Sequence, residues 1–439
     1  MTTRLARAHR WTGVCLLACL FGALPSVTAG APEVPRVAIV GADLADAHTL
    51  RLTITTAQLD RGADPPMLTL AMPTGPVSVS TELPLSRMPS RFAILLDLER
   101  GRVLIGGILV GTFPPLPPPG DNLRLPVAVT VHEGSRAVTS RAVAELLLPT
   151  VIVPGYHNER LDAPEAILAE IEKAGYVGAG PAQTVYWASY RSGSLALQAE
   201  AAEVADYVRR VVRPAVYASR INVVGYSVGG LAARWNIAEN VDGWTHFVNR
   251  LVLVGTPNEG MTIAYIADRS LAGFPLTGWA HGPLVRDLYP TFPYWRANGG
   301  EPWTTPPGGS GTTLAQLRSR DMPESVRVYV LYGNNPRVDG SGFDTVEGIT
   351  GALPTSALSF GPGDGLVLAA SAQGLPIHGD TGDPVLRRRT LCRIDVGPVY
   401  HTRLLRVAMP WIARVLRDRW DEGTPASPAV RAPRDPCPR

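Results

Sequence analysis

The sequence predicts an α/β protein: a mostly parallel sheet flanked by helices, preceded by an all-β sandwich domain. Three observations carry this expectation. Residues 31–148 read as a succession of short alternating strands. Strands and helices alternate beyond Pro149, which implies a parallel sheet covered by helices. An apolar strand in that second region runs into Gly225-Tyr226-Ser227-Val228-Gly229 immediately ahead of a helical pattern.

The chain opens on a segment with the features of an export signal. Arg4, Arg7 and Arg10 form a basic n-region, Trp11 to Leu24 an apolar stretch, and Val27-Thr28-Ala29 offers small residues at −3 and −1. Cleavage is expected after Ala29, leaving an exported (periplasmic or secreted) protein. The apolar run is short for a membrane anchor, and Leu16-Leu17-Ala18-Cys19 lies too deep within it for a lipoprotein box. Three of the 41 basic residues leave with this segment, and the rest balance the 38 acidic ones. The remaining arginines are scattered, so charge gives no reason to expect nucleic acid as a partner. No other segment is long and apolar enough to span a bilayer as a helix. Cys15 and Cys19 belong to the signal, while Cys392 and Cys437 either bridge outside the cytoplasm or stay as free thiols. No Cys/His spacing resembles a metal site.

In residues 31–148, Leu50, Leu52 and Ile54 alternate with Arg51, Thr53 and Thr55, the period of a half-buried strand. Similar runs follow at 67–72, 92–98, 102–110, 123–132 and 137–147, separated by Gly, Pro and Asp. Pro114 to Gly120 is a Pro-rich connection that cannot continue a ladder. Six or seven short strands predict an immunoglobulin-like sandwich. No catalytic constellation falls here, and anchoring, substrate guidance and packing all stay open as its role.

The second region, 149–420, begins with the short apolar strand Thr150-Val151-Ile152-Val153. Asp162-Ala163-Pro164-Glu165 opens a helix with an N-cap, a capping-box acid and a first-turn proline, and Gly175 can close it. Leu197, Ala201, Val204, Val208 and Val211 mark an amphipathic helix stopped near Pro214. Further strands are expected at Ile221–Gly225, Leu251–Gly255, Val326–Tyr332 and Thr390–Val396, and a Pro-rich tail at 421–439.

The segment from Ile221 to Gly230 is the strongest signal. A serine on a sharp strand-to-helix turn takes crowded backbone angles, and flanking glycines relieve the crowding. The turn lifts Oγ clear of the sheet's carboxyl edge, and the next helix presents N–H groups to developing negative charge. The segment reads as a nucleophile turn of the kind expected in an α/β-hydrolase fold, with Ser227 as nucleophile; the competing reading is an ordinary Gly-rich turn. Acyl transfer also needs a base and oxyanion donors. Val153-Pro154-Gly155-Tyr156-His157 ends the first strand of this region, so the N–H of Tyr156 is expected to pair with that of Val228, a plain turn being the alternative. The fold orders its triad Ser, acid, His. Asp364, in the tight Gly361-Pro362-Gly363-Asp364-Gly365 turn, is favoured as the acid over Asp339 in its looser Gly/Ser segment. His401, after the last expected strand and ahead of the helical stretch Leu404–Leu416, is favoured as the base over His378.

Residues 149 to 420 resemble the lipase-type α/β hydrolases, near the lecithin:cholesterol acyltransferase-like group. The matching pieces are Val153-Pro-Gly-Tyr, Tyr186-Trp-Ala-Ser-Tyr-Arg191, Gly225-Tyr-Ser-Val-Gly-Gly, Gly255-Thr-Pro-Asn-Glu-Gly260, Leu331-Tyr-Gly333, Gly363-Asp-Gly-Leu-Val and His401. The resemblance implies the triad Ser227, Asp364 and His401, an oxyanion pair from Tyr156 and Val228, and activity on esters of fatty acids or similar acyl chains. It implies no organic cofactor. The chain departs from the family where Ala188-Ser189-Tyr190-Arg191 replaces Asp-Trp-Arg and where Leu366 replaces Thr. Some bacterial lipases with Asp-Gly-Leu-Val hold a structural calcium, but no second acidic cluster supports one here. Residues 261–322 read as an inserted cap, dense in Trp279, Tyr289, Phe292, Tyr294, Trp295 and Trp303, which line either an acyl pocket or the cap's own core.

The expected function is thus a serine hydrolase that cleaves carboxylic esters, lipid-like ones above all, through an acyl-enzyme. A lipid-like substrate brings peripheral contact with a membrane or lipid surface. An O-acyltransferase with the same triad and a catalytically inactive binding scaffold are the two rival readings.

Overall fold

The computed structural model describes residues 36–57, 67–72, 75–79, 88–133, 135–156, 164–191, 195–261, 283–288, 310–334, 363–364, 366–376 and 382–418. The leader, the cap aromatics, Asp339, His378 and the tail lie outside the described residues.

The amino-terminal region folds into two antiparallel sheets. One is ordered β1 (Arg36–Leu44), β2 (Thr49–Ala57), β5 (Arg91–Asp97), β6 (Arg102–Ile105), β7 (Ile108–Thr112). The other is ordered β4 (Gly75–Val79), β3 (Met67–Met72), β8 (Leu123–Glu133), β9 (Arg136–Leu146). Alternation selects the inner faces: Leu50, Leu52 and Ile54 of one sheet share a buried cluster with Leu68, Leu70, Val127 and Val129 of the other. The stretch 102–110, expected as one strand, is two. Gly106 and Gly107 take φ of 58° and 82° there and fold it into a two-residue hairpin. The strands β1 and β4 were absent from the sequence expectation because small residues and prolines blur their alternation.

The second region is a six-stranded sheet ordered β11 (Val185–Trp187), β10 (Thr150–Val153), β12 (Ile221–Tyr226), β13 (Val248–Val254), β14 (Arg327–Gly333), β15 (Thr390–Gly397). Every neighbouring pair is parallel. Strands buried on both faces split their side chains between two cores. Val151, Val223, Leu251 and Leu253 pack with α2 (Leu197–Tyr207), α3 (Val228–Ala238), α4 (Ser310–Ser319) and α6 (Pro384–Arg389). Ile152, Val224, Val252 and Val254 pack on the opposite face with α1 (Pro164–Glu172) and α7 (His401–Arg417). The helix expected over 197–211 leaves α geometry after Tyr207 and continues as a π-helical turn, Val208–Val212, that keeps Val208 and Val212 buried. The chain runs from β10 outward to β11, then crosses back to β12 on the other side of β10. Such a reversal opens a crevice at the carboxyl ends of the strands, where open α/β sheets bind ligands. This is the α/β-hydrolase fold.

The two regions meet at the amino ends of the parallel strands, the edge opposite that crevice. Arg250, at the start of β13, has a fully buried side chain held between Asp121 (3.0 Å) and Asp418. Asp121 also binds Arg327, at the start of β14, at 2.5 Å. Among the described residues no helix is long and apolar enough to cross a membrane. Cys392 on β15 is disulfide-bonded, its partner lying outside the described residues.

Burial works to raise the Asp121 carboxyl, but Arg250, the Asn122 backbone N–H and Arg327 together outweigh it and hold the group below the usual carboxylate range. The resulting stabilisation is complete above the unfolded carboxyl value of about 3.9 and is lost as pH falls through the lower folded value. The side chain is half exposed, so solvent screens part of the effect. Asp121→Asn is expected to lower Tm at neutral pH by about 2–4 °C. It should also flatten the wild-type loss of stability below about pH 4, in thermal melts across the acid range; an unaltered pH profile contradicts this.

Candidate active site

The strand β12 ends at Tyr226 and α3 begins at Val228, so a single residue, Ser227, makes the turn. Its φ of 53° and ψ of −128° lie outside the regions an L-residue ordinarily occupies. Backbone bonds fasten it: Ser227 N–H donates to Val254 O at 2.9 Å, and Gly230 N–H to Ser227 O at 3.1 Å. The helix can start this abruptly because Gly229 has no side chain. A Cβ there would lie 2.2 Å from Pro154 O and 2.3 Å from Val153 O. The end of β10 is therefore laid directly over the start of α3.

The oxyanion candidates follow from the same packing. A Cβ on Gly155 would sit 2.7 Å from Ser227 Cβ, so the Pro154–Tyr156 turn rests on the serine itself. Tyr156 follows that glycine, and Val228 follows Ser227 in the chain and opens α3. The Tyr190 hydroxyl donates to Pro154 O at 2.5 Å and holds the turn. Burial, and secondarily Glu200, push the Tyr156 phenol up, so its side chain stays neutral.

The other two residues arrive from the carboxyl ends of β14 and β15. Asp364 lies on a tight bend that closes through Asp364 N–H to Val367 O at 3.2 Å. Its Oδ1 accepts from the N–H groups of Leu366 (3.1 Å) and Val367 (2.8 Å), leaving Oδ2 for another donor. His401 is the first residue of α7, and its own N–H donates to Asp364 O at 2.8 Å. Its ring then bridges the site, with Nδ1 2.7 Å from Asp364 Oδ2 and Nε2 2.9 Å from Ser227 Oγ. A carboxylate only accepts, so Nδ1 carries the proton and Nε2 is left to accept from the serine hydroxyl. All three side chains are buried. Gly255, at the end of β13 with φ 54°, leaves the room: a Cβ there would come within 3.1 Å of Asp364 Oδ2 and 3.2 Å of His401 Cε1.

The structure thus brings Ser227, Asp364 and His401 together and sets Tyr156 and Val228 beside the serine. Three supporting features escaped the sequence reading. Tyr226 stacks on His401 with ring centroids 5.2 Å apart and planes at 26°, and its hydroxyl donates to His401 O. Tyr190 steadies the turn at Pro154, and its only sequence signal was that it stands where the family pattern departs. Arg234, buried on α3, binds Asn258 Oδ1 at 2.7 Å and Asp383 Oδ2 at 2.6 Å. Asn258 in turn donates to Ala372 O at the end of α5 (Ala369–Gln373), the helix that follows Asp364. That network ties the serine's helix to the acid's loop, and a lone arginine in a helix gave no hint of it. Among the described residues no group of three or more His, Cys, Asp and Glu is placed to hold a metal ion. The arrangement can pass a proton from a serine hydroxyl to an imidazole while a carboxylate orients the ring, the requirement for nucleophilic attack on a carbonyl.

No protein-family model and no curated protein matches the chain. Solved structures that resemble it in part include the Bacillus licheniformis lipase BlEst2 in its mature form, with 18% identity, 62% of this chain and 92% of that chain covered, and a TM-score of 0.42. They also include the phospholipase PlaB from Legionella pneumophila, with 16% identity, 51% and 45% covered, and a TM-score of 0.34. The metagenomic carboxyl esterase MGS0156 aligns with 14% identity over 62% of this chain and 76% of its own, with a TM-score of 0.36. The alignment with PlaB spans less than half of that protein's length.

Proposed function

We propose that this chain is a serine hydrolase that cleaves carboxylic esters through an acyl-enzyme on Ser227. The observation that carries the reading is the unbroken Ser227–His401–Asp364 relay, with contacts of 2.9 and 2.7 Å, on a turn that holds the serine in a strained backbone conformation. In this reading His401 takes the hydroxyl proton as Oγ attacks the ester carbonyl. The Tyr156 and Val228 N–H groups receive the oxyanion, and His401 returns the proton to the leaving alcohol. A water activated by the same imidazole then releases the acid. Asp364 holds the tautomer and stabilises the imidazolium. Tyr226 is a positioning residue for the base.

A lipid-like acyl group is the substrate class we favour. The segments shared with lipase-type hydrolases, Gly225-Tyr-Ser-Val-Gly-Gly and Gly363-Asp-Gly-Leu-Val, support an acyl chain over a polar acid. We further read the front domain as immunoglobulin-like. Its β1-β2-β5 order opposite β3-β8-β9 matches the A-B-E and C-F-G arrangement, with the β6–β7 hairpin as an addition. We keep the export reading as well, on the basic, apolar and small-residue blocks of the leader.

Purified exported protein, expected to begin at Gly30 by N-terminal sequencing, should be labelled by a fluorophosphonate. Ser227→Ala should abolish labelling, and His401→Ala or Ser227→Ala should lower kcat on a nitrophenyl ester by about 10⁴-fold or more. A folded wild type that does not label, or a His401→Ala variant with undiminished turnover, rules the reading out. Tyr226→Phe keeps the stack and loses the hydroxyl bond, whereas Tyr226→Leu loses both. The expected falls in kcat are about 3-fold and about 30-fold with KM unchanged. Equal effects of the two substitutions, or a change in KM alone, argue against a positioning role.

A further inference from the structure

The β-rich domain sits far from Ser227, yet it grips the helix that carries His401. That helix, α7, begins at His401 and ends at Arg417, a span of about 25 Å at 1.5 Å per residue. Its carboxyl end is bound by three separate polar contacts, two made by the β-rich domain itself and the third by Arg250 of β13, which Asp121 of that domain also binds. Asn122 donates from Nδ2 to Leu416 O at 2.6 Å while its Oδ1 accepts from Leu148 N–H at 2.9 Å. Arg417 forms an ion pair with Glu145 on β9. Asp418 binds the buried Arg250, whose other carboxylate partner is Asp121, beside Asn122.

We infer that the β-rich domain serves catalysis by fixing the axial position of α7, and through it His401, rather than by binding substrate. The inference rests on His401 being the base. The physical case is a comparison of what the contacts can hold. The sheet-facing side of α7 is apolar: Leu404, Leu405, Ala408, Met409, Ile412 and Val415 are buried. Packing of that kind resists separation, and sliding of packed elements by about 1–2 Å is the displacement that shear motions use. The chemistry has no such tolerance, because a misplacement of about 1 Å can cost 100-fold in rate. Directional bonds at the two ends must therefore set the register. At the amino end these are His401 N–H to Asp364 O and the Tyr226 hydroxyl to His401 O. At the carboxyl end they are the Asn122, Glu145 and Arg250 contacts. Substrate guidance fits poorly with this placement, since the domain adjoins the amino ends of β13 and β14 while Ser227 stands beyond the carboxyl end of β12.

The test uses the exported full chain with single substitutions Asn122→Ala, Glu145→Ala and Arg417→Ala, and the charge exchange Glu145→Arg with Arg417→Glu. Turnover of nitrophenyl butyrate is normalised to sites titrated with a fluorophosphonate, and Tm is recorded for each variant. Each single substitution is expected to lower kcat per titrated site by about 3- to 10-fold with KM unchanged, and the exchange to restore it to within about 2-fold of wild type. Unchanged kcat per site in the folded variants overturns the inference, and so does a rise in KM alone, which would assign the domain to substrate binding. If Glu145→Ala fails to fold, Glu145→Gln is measured in its place against the same criteria. Loss of the base reading is separately visible, since His401→Ala would then retain its turnover.

Discussion

Everything at this site depends on one residue of backbone. Between Tyr226 and Val228 the chain must pass from an extended strand into a helix within Ser227 alone, and φ of 53° is the result. A conformation of that kind costs on the order of 1–3 kcal/mol and survives only where the surroundings over-determine it. Here they do so in three ways. The serine N–H is spent on β13 through Val254 O, the helix start is pressed under the β10 end at Gly229, and Gly155 rests on the serine side chain. The strain is therefore held by the rigid centre of the parallel sheet, the part of the molecule with the least freedom to relax it.

From that point the remaining geometry follows by proximity. The carboxyl ends of β13, β14 and β15 present Gly255, the approach to Asp364 and the lead into His401 on the same edge. Asp364 spends one carboxylate oxygen on its own loop and offers the other to the imidazole, so the acid is oriented before it orients the base. Tyr226 joins the two halves most economically: its backbone leads into the nucleophile and its ring and hydroxyl hold the base. The stack and the hydroxyl bond thus tie the serine turn directly to the histidine. The network of Arg234, Asn258 and Asp383 does the same for the acid at longer range.

Much of this was legible in the residues, for a physical reason. Gly-x-Ser-x-Gly after an apolar strand encodes a steric requirement, and steric requirements leave marks at fixed spacing. Asp364 and His401 were favoured over Asp339 and His378 because turn chemistry and the start of a helix locate them, although both rivals fall outside the described residues. What was not legible depends on pairing across the chain. Tyr226 occupies a variable position of its motif, and its contact with a residue 175 positions away has no local signature. The hairpin at Gly106-Gly107 was hidden because the flanking β-formers read as one run. The grip of Asn122 and Glu145 on α7 joins residues 294 and 272 positions apart in sequence. Ordinary surface polar residues gave no cause to expect it. The aromatics of the expected cap lie outside the described residues.

On the proposed mechanism the Ser227 hydroxyl attacks a carbonyl whose oxygen is received by two backbone N–H groups. The most direct measurement is a crystal structure of the fluorophosphonate-treated protein. The proposed attack places phosphorus on Ser227 Oγ, with the phosphoryl oxygen about 3 Å from the N–H groups of Tyr156 and Val228. An adduct on another residue, or a phosphoryl oxygen turned away from both amides, would contradict it.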